Sequence, residues 1–217
     1  VYFRDAAGQS HSPTLKIAEE FYSNNGVPIN EDKTWKYENR FNLRNATPEE
    51  WIFVEPGQKT VGLNFDRELR YYADLSFDRG AWFGNGSPSI PAEKPWYIHN
   101  RRNEYSSIQE IERFSVTGMF PKKLVNIENE VRDGQSYQST IYAFPVIRLA
   151  DLYLYYAEAL NEIKATPDVQ VYEYIDKVRD RAGLKGVVER WSRYSNIPDK
   201  PNTKSGMRDL HNRERLI

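Results

Sequence analysis

The 217-residue chain carries 30 basic and 31 acidic side chains, so its formal net charge at pH 7 is −1. This balance argues against an electrostatic nucleic-acid or membrane-surface role, because such a role needs a basic patch. The chain has no cysteine, which excludes disulfides, thiolate ligands and thiol nucleophiles. Its 15 Tyr, 10 Phe and 5 Trp against 2 Met mean that flat aromatic rings carry much of the apolar surface.

The first predicted elements are short. A helix is predicted from Ser12 to Asn24, because apolar residues recur on one face and Gly26 suits its end. A second short helix is predicted within Asn45–Val54, which has cap and first-turn residues of the expected types. The stretch Leu69–Phe77 is rich in Tyr and Phe and predicts a strand.

Three long regions show no convincing periodicity: Gly80–Arg102, Lys122–Ser139 and Gly186–Gly206. Loops of this length inside a domain are usually functional or disordered. Bulky aromatic residues argue against disorder. Loops held on a rigid scaffold commonly carry binding contacts, so these regions indicate a binding protein.

The most regular segment is a predicted helical hairpin over Phe144–Gly183. In its first helix, Val146–Lys164, apolar residues cover most of the circumference, which predicts burial against other elements on two or more sides. The second helix is predicted over Asp168–Ala182, with Thr166 as N-cap. We therefore predict a mainly α fold, with tetratricopeptide-like helical hairpins, long loops and a few short strands.

Five segments, in order, resemble the SusD/RagB family. The sequence FPVIRLADLYLYYAEALNE at Phe144–Glu162 is similar to its most recognisable signature, and Tyr174–Leu184 matches the segment that follows it. His11–Ile29, Asp66–Asp74 and Met207–Ile217 are similar to three further family blocks. The resemblance covers nearly the whole chain, and it implies that residues 1–217 are a C-terminal SusD-like domain whose N-terminal helical-repeat half lies elsewhere.

The resemblance also implies a function. Family members are outer-membrane lipoproteins that capture oligosaccharides or, in some members, peptides. They cover a SusC-like TonB-dependent transporter barrel as a lid. It therefore implies a surface-exposed protein held through an upstream lipidated cysteine, without enzymatic activity, cofactor or nucleic-acid partner.

Candidate ligand-binding residues lie in the first irregular region. An aromatic ring can stack on the C–H face of a sugar while nearby polar groups bind its hydroxyls. The candidates for these two roles are Trp82, Phe83, Trp96, Tyr97, Asn100 and Arg101. The alternative is that the aromatic side chains pin the loop to the core.

Three other functions remain open: a peptide-binding member of the family, a glycoside hydrolase and a helical scaffold for other proteins. The paired carboxylates Glu19-Glu20 and Glu49-Glu50 are adjacent on predicted helices and do not face one another, so they do not support hydrolysis. The three histidines are scattered. The residues Asn126–Asp133 depart from the calcium-loop spacing, so a solvated loop without metal is the favoured interpretation.

Overall fold

A computed structural model describes residues 12–86, 89–107, 115–123, 125–132, 137–141, 143 and 145–217. His11, Asp133 and Phe144, which belong to predicted segments, lie outside these ranges. The described residues form six α-helices: α1 (Leu15–Glu20), α2 (Leu69–Asp74), α3 (Leu149–Ile163), α4 (Val169–Arg181), α5 (Val187–Tyr194) and α6 (Lys204–Leu216). None of these helices combines the length and the hydropathy that a membrane span requires.

Eight short strands accompany the helices in the described ranges: β1 (Leu43–Asn45), β2 (Lys59–Val61), β3 (Leu75–Ser76), β4 (Ala81–Trp82), β5 (Trp96–Tyr97), β6 (Phe120–Pro121), β7 (Glu130–Val131) and β8 (Tyr137–Gln138). The chain forms two compact units. The predicted fold class, mainly α with long loops and few short strands, is confirmed.

The first unit comprises residues 1–18, 40–65 and 72–143 and contains all eight strands. They form antiparallel pairs, β1 with β2, β3 with β6, β4 with β5 and β7 with β8. Strands of two or three residues bury little surface by themselves. The unit therefore depends on its buried apolar side chains, which include Val54, Leu63, Phe65, Phe77, Ile98 and Met119.

The second unit comprises residues 19–39, 66–71 and 144–217, and α3 and α4 form its helical hairpin. The N-cap of α4 is Asp168, whose Oδ1 accepts from the backbone N–H of Gln170 at 3.1 Å and of Val171 at 3.4 Å. The prediction of Thr166 as N-cap was therefore wrong. A carboxylate is favoured at this position because it also interacts with the positive end of the helix dipole.

Helix α3 is buried on one side. Leu154, Ala157 and Leu160 are buried where the helix packs against α4 and α6. On the other side Leu149 is 62% exposed and Leu152 is 52% exposed. Within the described residues the helix is therefore covered on one face, whereas the sequence predicted cover on two or more.

Two predictions of local structure were wrong. Leu69–Phe77 forms helix α2 and then β3, not one strand, and the helix places Tyr71 inside the unit against the edge of Phe21, with ring centroids 5.6 Å apart. Strand propensity depends strongly on packing, and here packing decides for a helix. The region Gly186–Gly206 contains α5, whose Trp191 is fully buried.

A buried ionic network lies at the centre of the second unit. Arg179 Nη1 on α4 is 2.9 Å from Glu214 Oε1 on α6, and both side chains are fully buried. The second oxygen of Glu214 accepts from Arg70 at 2.8 Å, and Arg70 also binds Glu68 at 2.6 Å. Arg179 Nη2 donates to the carbonyl of Gly26 at 2.7 Å. Burial acts to raise the pKa of Glu214, but Arg70 and Arg179 together lower it below its usual value.

We predict that Arg179→Met lowers the free energy of unfolding by about 3–5 kcal/mol, because removal of one partner leaves a buried carboxylate incompletely compensated. Chemical denaturation of the intact protein measures this change. Arg181→Met is the matched control, since Arg181 lies two residues away on the same helix and is exposed. Equal stability of the two variants would contradict a structural role for the network.

Candidate functional site

A cavity of about 280 Å³ opens in the first unit. Its wall includes the aromatic side chains Tyr72, Trp82 and Phe83 and the polar side chains Asn85, Lys122, Asn126 and Asn129. Small-molecule sites usually have volumes of about 300–1,000 Å³ and combine apolar walls with a few polar groups. The cavity lies just below this range, so it fits one ring-sized group.

The aromatic wall is built by the pairing of β4 with β5. The register places Trp82 opposite Trp96, and the two indole centroids are 5.7 Å apart with the rings tilted by 30°. Trp82 is only 8% exposed, while Phe83 is half-buried. The cross-strand pair therefore fixes the position of Trp82 at the cavity and leaves Phe83 the more accessible ring.

A close approach of two backbone segments closes the cavity beside this wall. Gly84 has φ of +107°, and a Cβ at this position would lie 2.8 Å from the carbonyl oxygen of Ile127. Nearby, the backbone N–H of Val131 donates to the carbonyl of Asn85 at 2.9 Å. Only glycine meets both the backbone conformation and the contact distance at position 84 without strain.

The half-buried Lys122 supplies the charge of the cavity. It directly follows β6, and its Nζ donates to the carbonyl of Tyr72 at 2.9 Å and to the carbonyl of Ala81 at 2.6 Å. The same nitrogen lies 5.5 Å from the ring centroid of Trp82. Burial lowers the pKa of Lys122 to about 8. The ammonium group is therefore held by backbone dipoles and an aromatic face.

Two side-chain amides add hydrogen-bond donors. Asn126 Oδ1 accepts from the backbone N–H of Glu128 at 3.0 Å, and Asn129 Oδ1 accepts from that of Thr140 at 2.8 Å. Because both oxygens accept, the Nδ2 groups of these asparagines are the remaining donors. Both residues line the cavity, so their Nδ2 groups can donate to a ligand.

The structure divides the six sequence-predicted ligand-binding residues. Trp82 and Phe83 line the cavity. Trp96 packs against Trp82, and its Nε1 is buried with no hydrogen-bond partner among the described residues. These three side chains lie together.

The other three predicted residues hold neighbouring loops. Tyr97 donates its hydroxyl to the carbonyl of Trp51 at 2.9 Å. Asn100 Nδ2 donates to the carbonyl of Gly118 at 2.5 Å. Arg101 Nε lies 2.8 Å from Asp78 Oδ2. None of the three is among the described residues that line the cavity.

The sequence did not indicate Lys122, Tyr72 or Asn129 as site residues. Lys122 is one charged residue among many in an irregular region, and its place depends on the backbone carbonyls of two other segments. Asn126 was considered as a calcium ligand. In the described ranges no group of three or more His, Cys, Asp and Glu side chains is arranged to hold a metal ion.

Comparison with protein families gives one match. The model of the SusD family matches residues 4–217 of this chain. None of the curated proteins compared with the chain matches it.

Solved structures show the same similarity. BT4246 superposes with a TM-score of 0.69 at 25% sequence identity, over 94% of this chain and 32% of its own length. Its selenomethionine form superposes with a TM-score of 0.67 at 25% identity, over 94% and 34%. A SusD-like protein (BF3747) from Bacteroides fragilis NCTC 9343 has a TM-score of 0.58 at 19% identity, over 94% and 32%. The chain therefore spans 32–34% of the length of these proteins.

We predict that the ammonium group of Lys122 titrates near pH 8, well below the value of about 10.4 for an exposed lysine. Between these values the unfolded state binds more protons than the folded state, so the free energy of unfolding rises with pH across this window. Below it, both states are protonated and the cost of burying the charge is constant. NMR of labelled lysine side chains measures the midpoint.

The variant Lys122→Met assigns the signal, because its spectrum lacks the Lys122 resonance. A midpoint near the value for an exposed lysine would contradict the burial of this ammonium group.

Proposed function

The chain belongs to the SusD family, and from this membership we propose that it captures oligosaccharides at the cell surface without cleaving them. The bound sugar then passes to a SusC-like TonB-dependent transporter in the outer membrane. Family membership supports the broader statement, a nutrient-binding role in the uptake of glycans or peptides.

The cavity is the observation that carries the choice of a sugar. It joins the indole of Trp82 and the phenyl ring of Phe83 to the polar side chains of Lys122, Asn126 and Asn129. A sugar ring has apolar C–H faces and a polar rim, and it therefore suits a wall of this composition. The small volume supports recognition of one residue of a longer chain, whose other residues contact the surrounding loops.

The composition of the cavity supports binding over hydrolysis. Glycosidases use two carboxyl groups that are roughly 5–10 Å apart across the scissile bond. None of the described residues that line the cavity is an aspartate or a glutamate. Members of the family are generally non-catalytic binding proteins.

We also propose that residues 1–217 are the C-terminal domain of a larger, surface-exposed protein with a lipid anchor. The apolar residues Leu149 and Leu152 of α3 are exposed, and Ile163 at its end is 79% exposed. Contiguous exposed apolar surface of this kind marks an interaction site. A preceding helical-repeat half would provide its cover.

We predict that Trp82→Ala and Trp96→Ala together weaken oligosaccharide binding at least tenfold, because the first removes the cavity wall and the second removes its support. A glycan array first identifies an oligosaccharide, and isothermal titration of the intact protein then measures its affinity. A peptide digest screened in parallel tests the rival cargo.

Two further variants control for loss of structure. Phe83→Ala removes a half-buried ring and is expected to weaken binding with little loss of stability. Trp51→Ala is the matched control, because this side chain is 45% exposed and does not line the cavity. Unchanged affinity in the Trp82, Trp96 double variant would remove the cavity as the binding site.

A further inference from the structure

We propose that the cavity recognises a sugar ring that carries a carboxylate, a hexuronic acid, whose carboxylate binds beside Lys122. This inference rests on the proposed function and names the class of glycan that the site selects. Three properties of the cavity support it: its uncompensated charge, the amide donors near that charge, and its size with its aromatic wall.

The charge is the first property. Among the described residues that line the cavity, Lys122 carries the one charged side chain. No carboxylate of the described chain forms an ion pair with it. The neighbouring Asp74, whose backbone carbonyl accepts from the N–H of Lys122, pairs instead with Lys123 at 3.3 Å. A buried cation is costly unless an anion compensates it. A ligand carboxylate would supply that anion.

The geometry leaves a donor for such a ligand. An ammonium group has three N–H donors, and Lys122 uses two of them on the carbonyls of Tyr72 and Ala81. The third has no partner in the described part of the chain. A hydrogen bond from an ammonium to a carboxylate is about twice as strong as one between neutral groups.

The neighbouring amides supply further donors. The Oδ1 atoms of Asn126 and Asn129 already accept from backbone N–H groups. The Nδ2 groups therefore remain to donate to a ligand. A carboxylate is purely an acceptor, whereas each hydroxyl of a neutral sugar also brings a donor that needs its own acceptor. A carboxylate can therefore accept from these amides as well as from the ammonium group of Lys122.

The size and the aromatic wall favour a ring as the carrier of the carboxylate. A volume of about 280 Å³ fits a single hexuronate. The rings of Trp82 and Phe83 provide flat apolar surface for its C–H face. An acidic peptide offers the same carboxylate on a flexible chain without such a face, so it is the competing source to test.

The experiment compares acidic oligosaccharides with their uncharged counterparts. Oligogalacturonate, oligomannuronate and glucuronate-containing oligosaccharides are each titrated into the intact protein, beside the methyl ester of the same chain length. We expect at least one acid to bind tenfold or more tightly than its ester. Esterification removes the negative charge and keeps the ring, so the ratio reports recognition of the carboxylate.

Variants then locate this recognition. Lys122→Met removes the charge and is expected to reduce the ratio of acid to ester affinity to about one. Lys122→Arg keeps the charge and is expected to retain part of the ratio, because a charge-assisted hydrogen bond to the carboxylate can still form. Lys123→Met is the matched control, because Lys123 points to Asp74 and does not line the cavity. It should retain the full ratio.

The outcomes separate the two proposals. Equal affinity for acids and esters in the unmodified protein, or binding of neutral glycans alone, would overturn the carboxylate inference and leave oligosaccharide capture intact. Tighter binding of acetylated glutamate peptides than of any uronate, with the same dependence on Lys122, would overturn the sugar as carrier. If no glycan of either class binds, the proposed function itself fails.

Discussion

The second unit depends on one buried pair, the guanidinium of Arg179 and the carboxylate of Glu214. Neither charge is tolerated in an apolar interior unless its partner and its hydrogen bonds are in place. The pair therefore fixes α4 against α6, and Nη2 of Arg179 also donates to the carbonyl of Gly26. Gly26 has φ of +76°, and a Cβ there would lie 2.8 Å from Arg179 Nη2. Both the backbone conformation and the nearby guanidinium therefore favour glycine at this turn.

This constraint explains how much of the fold could be predicted from the sequence. The segments that resemble the family contain Gly26, Glu68, Arg179 and Glu214, which are members of the same network. Because a change in any of them would leave a buried charge or a steric clash, these residues identify the fold well. The periodicity of α3 and α4 was equally informative. In contrast, α2 was mistaken for a strand, since its aromatic residues favour either structure and the contact of Tyr71 with Phe21 decides between them.

The candidate site could be predicted only in part. Trp82 and Phe83 could be identified because large aromatic residues in a long irregular region suggest either ligand binding or packing of the loop against the core. Lys122 did not, because its environment is created by carbonyls of Tyr72 and Ala81 that come from distant parts of the first unit. Tyr97 and Arg101 have the right chemistry for a sugar, but hydrogen bonds to Trp51 and Asp78 occupy their polar groups. Composition identifies candidate residues. Only the structure shows which of their polar groups are already occupied by hydrogen bonds within the protein.

The uneven cover of α3 has a practical consequence. Its exposed leucines give the described chain a surface that water solvates poorly, at a cost of about 25 cal/mol for each Å² of apolar area. Two molecules that meet on this face would each hide it from solvent, so the 217-residue chain should self-associate in concentrated solution. Laboratory work on this chain therefore calls for dilute samples, or for a fusion that shields the helix.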